Sequence, residues 1–381
     1  MGDGEMPEEV TFKIGLVGPT RIGKTSLITA LLAESQTLLA GSGVAMRTVG
    51  VATEAKIASN KKELDGDLLA GEFQSKSLKG TVEPFTFHLK LDPGVAQSEI
   101  NLALLDFPGG WLVADERPVQ YETDWQDCLR FINESTVLLV PVDAALLMEA
   151  SLASQKRALP RLLTTYEVEQ VARDWARERN RKPYEPALVV FCPVKCESYF
   201  KDNGGRRDRS VQLLARFKET YGDVISAVTG EAPKANMLYA PIDTIGCVEL
   251  IDATWPLAPG TQDHAFHAEY RVRRPARISR KGVDDVMRAL CKHLVEGRRV
   301  LSAAEGQVLT GQAEQARRYA ERREGFFRDI WLWMNGERQA RHEMALQRTD
   351  ESREAWDRVA ALDTVLNRIA ADRYGPRVYE L

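Results

Sequence analysis

Phe12-Lys13-Ile14-Gly15-Leu16-Val17-Gly18-Pro19-Thr20-Arg21-Ile22-Gly23-Lys24-Thr25, followed by the leucine- and alanine-rich Ser26 to Glu34, decides how the rest of the chain is read. Phe12 to Gly18 has the apolar run of a short buried strand, and Ser26 to Glu34 the composition of a helix. Between them, Gly18 to Thr25 matches G-x-x-x-x-G-K-[ST] at every defined position, with the strand before and helix after that this motif requires. Gly18 and Gly23 let the backbone curl so that successive N–H groups face a phosphate, and the following helix adds its dipole. Gly18, Thr20, Arg21, Ile22, Gly23, Lys24, Thr25 and Ser26 are thus expected to line a nucleotide's phosphates. Lys24 would bridge the β- and γ-phosphates, and Thr25 would place its hydroxyl on Mg²⁺. The competing reading, a glycine-rich turn with a chance lysine, does not account for the strand and helix on either side.

Further apolar strands are expected at Pro84–Leu91, Ile100–Phe107, Val137–Val142, Ala187–Cys192 and Met237–Pro241, most of them separated by helical segments. That alternation predicts an α/β fold: a three-layer, P-loop NTPase-like domain with a mostly parallel sheet. Phe85–Leu91 and Ile100–Leu105 are the exception. The short connection through Asp92-Pro93-Gly94 favours an antiparallel hairpin at the sheet edge. Residues 1–9 read as a flexible N-terminus and residues 10–298 as the nucleotide domain, with inserts near 35–80 and 247–280 and a last helix at Val283 to Gly297. From about Ser302 charged residues and alanine dominate and proline is absent until Pro376, so 299–381 reads as a helical C-terminal region.

Asp106 ends an apolar strand in Leu104-Leu105-Asp106-Phe107-Pro108-Gly109. A carboxylate there can hold Mg²⁺ through water, and the Gly109 N–H can meet the γ-phosphate, which together form a D-x-x-G switch. A hydroxyl that closes over the ion is expected at Thr81, just before the hairpin strand. Thr48 and Thr53 compete for that role, and a turn threonine without ligands is the bland alternative at Thr81. Val194-Lys195-Cys196-Glu197, at the end of another apolar strand, resembles the N/T-K-x-D motif that reads guanine. Valine replaces the Asn or Thr, and Glu197 is one methylene longer than Asp. Lys195 and Glu197 are therefore base-reading candidates, against the reading that both are solvated loop charges. Ala240-Pro241-Ile242-Asp243-Thr244-Ile245-Gly246 stands in the place of the second base loop without its usual Ser-Ala-Lys.

Over about residues 10 to 298 these motifs resemble the translation-factor-related class of P-loop GTPases. The long insert before Thr81, the Gly-Thr-x-x-Pro step and Asp-Phe-Pro-Gly look like its bacterial YcjX-like and double-GTPase-like branch. The resemblance implies a Mg²⁺-dependent, GTP-hydrolysing switch that binds GTP and GDP and couples to a protein effector. An ATPase of the same fold and a nucleotide-gated scaffold with negligible hydrolysis are the alternatives. Small G-proteins place a water-orienting glutamine after D-x-x-G, where this chain has Gly110. Arg21 occupies the P-loop position of the arginine of guanylate-binding proteins and atlastins, which implies a cis arginine finger engaged by homodimerisation or a partner. A solvent-facing or paired Arg21 is the competing reading. Lys24, Arg21 and Gly109 are thus the catalytic candidates.

Composition sets outer bounds. The 381 residues are 44% hydrophobic and carry 51 basic and 55 acidic side chains, a formal net charge of -4 that gives no reason to expect indiscriminate nucleic-acid binding. Five scattered cysteines are too few for a disulfide framework and fit a reducing cytoplasm. No apolar stretch reaches the length of a membrane span, and no secretory leader is read at the N-terminus. Cys192, Cys196, Cys247, His264 and His267 are read as packing or loop residues rather than a metal site. The basic run from Arg271 to Lys281 reads as a solvated loop neutralised by nearby acids rather than a phosphate-binding patch. Phe326, Phe327, Ile330, Trp331, Trp333 and Met334 read as a helical packing or oligomerisation stripe, in preference to a membrane-surface face.

Overall fold

A computed structural model describes residues 11–40, 44–70, 72–74, 81–92, 100–182, 185–257, 263–308 and 364–381. Strand β1 (Thr11–Leu16) lies inside an eight-stranded sheet because both of its faces bury apolar groups. Phe12, Ile14 and Leu16 enter one core. Gly15, on the other face, lies against Ile132 and Leu138, where a β-carbon would stand 3.4 Å from each. Helix α1 (Lys24–Leu39) follows, then β2 (Ala45–Thr48), α2 (Val51–Ala70) and β3 (Glu72–Gln74). The hairpin strands are β4 (Phe85–Asp92) and β5 (Ile100–Asp106), paired antiparallel from Phe85 opposite Asp106 to Leu91 opposite Ile100. After α3 (Glu122–Glu134), β6 (Val137–Asp143) is buried along its whole length, as a central parallel strand must be.

The remaining elements are α4 (Ala144–Glu149), α5 (Ala153–Leu162), α6 (Thr165–Asn180), β7 (Leu188–Val194), α7 (Ser210–Glu231), β8 (Asn236–Tyr239), β9 (Val248–Thr254), β10 (His267–Val272), α8 (Val283–Val308) and β11 (Tyr379–Glu380). The large sheet runs β11-β8-β7-β6-β1-β5-β4-β2. Its centre is parallel, from β8 through β7, β6 and β1 to β5. Helices cover both faces. Residues of α3, α6 and α7 form one core, where Trp175 is fully buried and its indole N–H donates to the Ser135 carbonyl at 2.7 Å. Residues of α1 and α8 form the other, on the face that β1 shares. The expected strands thus lie where the sequence places them, shifted by a residue or two.

Three features differ from the sequence expectation. Antiparallel strands close both edges of the sheet: β2 extends the hairpin edge, and β11 pairs with β8 at the other. The inserts at 35–80 and 247–280 are joined, because β3 from the first pairs with β10 from the second in a sheet of order β3-β10-β9. Finally, α8 continues to Val308, and residues 364–381 are no appendage. Helical residues 364–371 bury Val365, Leu366 and Ile369 in the α1/α8 core, and the chain then turns through Gly375 into β11. Expecting helix throughout 299–381 fails here because a two-residue edge strand is too short to leave any periodicity. Residues 1–9, the hairpin connection at 93–99 and the aromatic stripe from Phe326 to Met334 lie outside the described residues.

Candidate functional site

The parallel strands β1, β5, β6, β7 and β8 all send their carboxyl ends to one rim of the sheet, the rim where open α/β sheets bind ligands. Just past β1, Gly18 is closely packed: a β-carbon there would meet Pro141 at 3.2 Å, tighter than ordinary contact. The loop closes through two left-handed residues, Arg21 (φ 62) and Gly23 (φ 105). Ile22 turns inward and is buried in the core, so the loop exposes its backbone together with the side chains of Thr20 and Arg21. Gly23 caps α1 and has no side chain to bond the first N–H groups of that helix. Those donors therefore face the loop, where an anion is favoured.

Lys24 is buried beneath this loop. Its Nζ donates to the carbonyls of Gly18 at 2.8 Å and Pro19 at 3.1 Å and lies 5.4 Å from the centre of the Phe107 ring. Burial pushes the ammonium down to about 8, with the charge of Asp106 opposing the shift. Asp106, at the end of β5, is wholly buried. Its Oδ2 accepts from the Thr25 hydroxyl at 2.8 Å and the Thr81 hydroxyl at 2.7 Å, and the two hydroxyls are 3.4 Å apart. Its Oδ1 is buried without a hydrogen-bond partner among the described residues. The competing threonines stand elsewhere: Thr48 donates to Glu54 at 3.3 Å, and buried Thr53 accepts from the His88 N–H at 3.3 Å. Gly109 lies directly on the Gly18–Gly23 loop. A β-carbon there would come within 2.2 Å of Pro19 C and Thr20 N, so any side chain at 109 would force the two loops apart.

Lys195, Glu197 and their neighbours are tied to each other and to the same loop. Lys195 is left-handed (φ 61). Its Nζ bonds the Asp143 carboxylate and donates to the Arg21 carbonyl at 3.4 Å. Asp143 also caps α4, accepting from Leu146 N at 3.0 Å. Glu197 is buried and accepts from the Gly246 N–H at 3.0 Å, which joins the loops after β7 and β8. Burial, and then the charge of Asp243, hold its carboxyl above the ordinary value. Asp243 is itself wholly buried, accepting from Asn203 Nδ2 and Arg377 Nη2, both at 2.8 Å. Arg377 also donates from Nε to Asp202 at 2.9 Å and stacks 4.1 Å from the Phe200 ring centre. In the basic run, Arg271 pairs with Glu249, and Arg273 donates to the carbonyls of Asn203 and Gly246.

A narrow crevice joins the two halves of the site. Thr25, Ser26 and Thr29 of α1, Asn60 of α2, Thr244 and Arg280 line it. The Asn60 Nδ2 is buried there without a hydrogen-bond partner among the described residues. Sequence reading singles out neither Asn60 nor Asp143, Asp243 and Arg377. Asp143 carries the one usable signal, since like Asp106 it is an aspartate ending an apolar strand. In comparison with known proteins, the chain matches no protein-family model and no curated protein. The geometry of the rim therefore carries the functional reading.

Proposed function

We propose that the chain is a Mg²⁺-dependent P-loop GTPase of the translation-factor-related class, in its YcjX-like and double-GTPase-like branch, and that it acts in the cytoplasm as a switch for a protein effector. The observation that carries this reading is the meeting of Thr25, Thr81 and Asp106 beside an α1 N-terminus capped by Gly23. Two hydroxyls and one carboxylate are hard oxygen donors of the kind Mg²⁺ takes, and Asp106 Oδ1, without a partner among the described residues, adds acceptor capacity. When bound, the ion would neutralise charge on the β- and γ-phosphate oxygens.

The phosphates would displace the Gly18 and Pro19 carbonyls from Lys24 Nζ and take their place. The loop and first-turn N–H groups then hold the β-phosphate. Thr81 and Gly109 approach from two separate segments, so both feel the presence or loss of the γ-phosphate. On the base side, the Lys195 stem and the Glu197–Gly246 junction are the guanine-reading elements of this proposal. Since Glu197 Oε1 is already engaged by Gly246, competition between nucleotides is the informative test. GTP is expected to displace a fluorescent GTP analogue at far lower concentration than ATP, and single-turnover assays are expected to show GDP formation. Stronger displacement by ATP would move the reading to an ATPase of this fold. Tight binding without turnover would leave a nucleotide-gated scaffold.

A further inference from the structure

Hydrolysis at this site needs a group that holds the attacking water, and Gly110 has no side chain to supply one. We propose that Glu116 does so in its stead, an inference that rests on the nucleotide-hydrolysing reading above. A β-carbon built on Gly110 would lie 3.4 Å from Glu116 Oε2 and 3.6 Å from Thr20 Oγ1. The carboxylate of Glu116 thus stands in the space that a side chain at 110 would enter, beside the phosphate-loop threonine. It is exposed, as a group that must meet a water and a nucleotide has to be.

The loop that carries Glu116 is fixed from beneath. Short 3₁₀ turns at Gly109–Leu112, Ala114–Glu116 and Val119–Tyr121 fold it back on itself, with Glu116 N donating to Val113 O at 3.1 Å. Buried Trp111 stacks on Tyr121 with ring centres 5.0 Å apart. Arg117 donates to the Trp111 carbonyl at 2.6 Å and to Glu122 at 2.9 Å, with its guanidinium 5.1 Å from the Trp125 ring centre. Neighbouring side chains thereby anchor the loop, while the Glu116 carboxylate is left facing Gly110 and Thr20.

In the step assigned to it, the carboxylate accepts one proton from water as the water oxygen bonds the γ-phosphorus. The bond from that phosphorus to the bridging oxygen breaks, its electron pair leaving with the diphosphate, and the proton passes to the released phosphate. Removing a positioned general base of this kind lowers a rate by ~10²–10⁴.

The test is single-turnover GTP hydrolysis and GTP affinity, measured together for wild type, Glu116→Gln, Glu116→Ala and Gly110→Glu in the Glu116→Ala background. Both single variants are expected to bind GTP as wild type does and to hydrolyse it ~10²–10⁴ more slowly. The added carboxylate, which projects into the same space, is expected to recover part of the rate. Gly110 tolerates this change because its backbone is not left-handed. Hydrolysis by Glu116→Gln within about threefold of wild type would overturn the proposal, as would a loss of binding that matches the loss of rate. A wild-type protein that binds GTP but does not turn it over would overturn the role of Glu116 and leave the nucleotide site standing. A wild-type protein that binds no nucleotide would overturn both.

Discussion

Replacing Arg21 by alanine is expected to slow single-turnover GTP hydrolysis by ~10³–10⁵ and to leave GTP affinity nearly unchanged. The backbone at Arg21 is structural, since its left-handed turn shapes the loop and its carbonyl accepts from Lys195 Nζ. Alanine preserves both, because it keeps the carbonyl and the same β-carbon at the same φ. The side chain is different. It is exposed, and no ion pair or hydrogen bond to another described residue holds it. If the loop holds phosphates as proposed, an exposed guanidinium on its rim can meet a transferring phosphoryl group, where cationic charge lowers the barrier. If a second copy of the chain turns it inward, the rate per molecule rises with protein concentration in wild type and stays flat in Arg21→Ala. Equal hydrolysis by the two proteins, or parallel loss of binding and hydrolysis, would contradict the finger.

Arg377→Ala is expected to cost about 3–5 kcal/mol of folding stability, because it strands a buried carboxylate rather than removing a surface contact. The Asp243 side chain is fully buried and that of Arg377 is 5% exposed, so the charge of Asp243 loses its cationic partner in a place water does not reach. Among the described residues, Asn203 alone would remain as its side-chain donor. The same residue anchors the end of the chain, where Gly375 N donates to Asp285 at 2.8 Å and Leu381 N to the Met237 carbonyl at 3.0 Å. Urea unfolding measures the loss. Pairing Arg377→Met with Asp243→Asn is expected to recover much of it, since neither charge is then buried alone. A wild-type midpoint for Arg377→Ala would show that Asp243 is not held by this ion pair. GTP affinity should fall with Arg377→Ala as well, because Asp243 lies in the loop that Glu197 joins to the base side.

What the sequence discloses is local. Gly18 to Thr25 carries its loop geometry in its own spacing, and Asp106 is visible because an apolar strand ends on it with Gly109 three residues later. The parallel strands are legible for the same reason, as continuous apolar runs such as Val137–Val142. Arg377 and Asp243 are 134 residues apart, and nothing near either one calls for the other. The pairing of β3 with β10 involves three residues on one side, too few for alternation to register. Asn60 looks like any polar residue of an amphipathic helix until α2 is laid against α1. The Glu116 carboxylate beside Gly110 is hidden in the same way, since its position follows from turns rather than from a periodic element. Its only trace in the sequence is the gap left by the glycine.

Whether nucleoside phosphates bind at Gly18 to Thr25 at all is tested most directly by titration calorimetry of GTP with Mg²⁺ into wild-type protein and into Lys24→Ala. The account predicts saturable, Mg²⁺-dependent binding by wild type and its collapse in a variant that is still folded. No binding to wild type, or equal affinity in the two proteins, would contradict it.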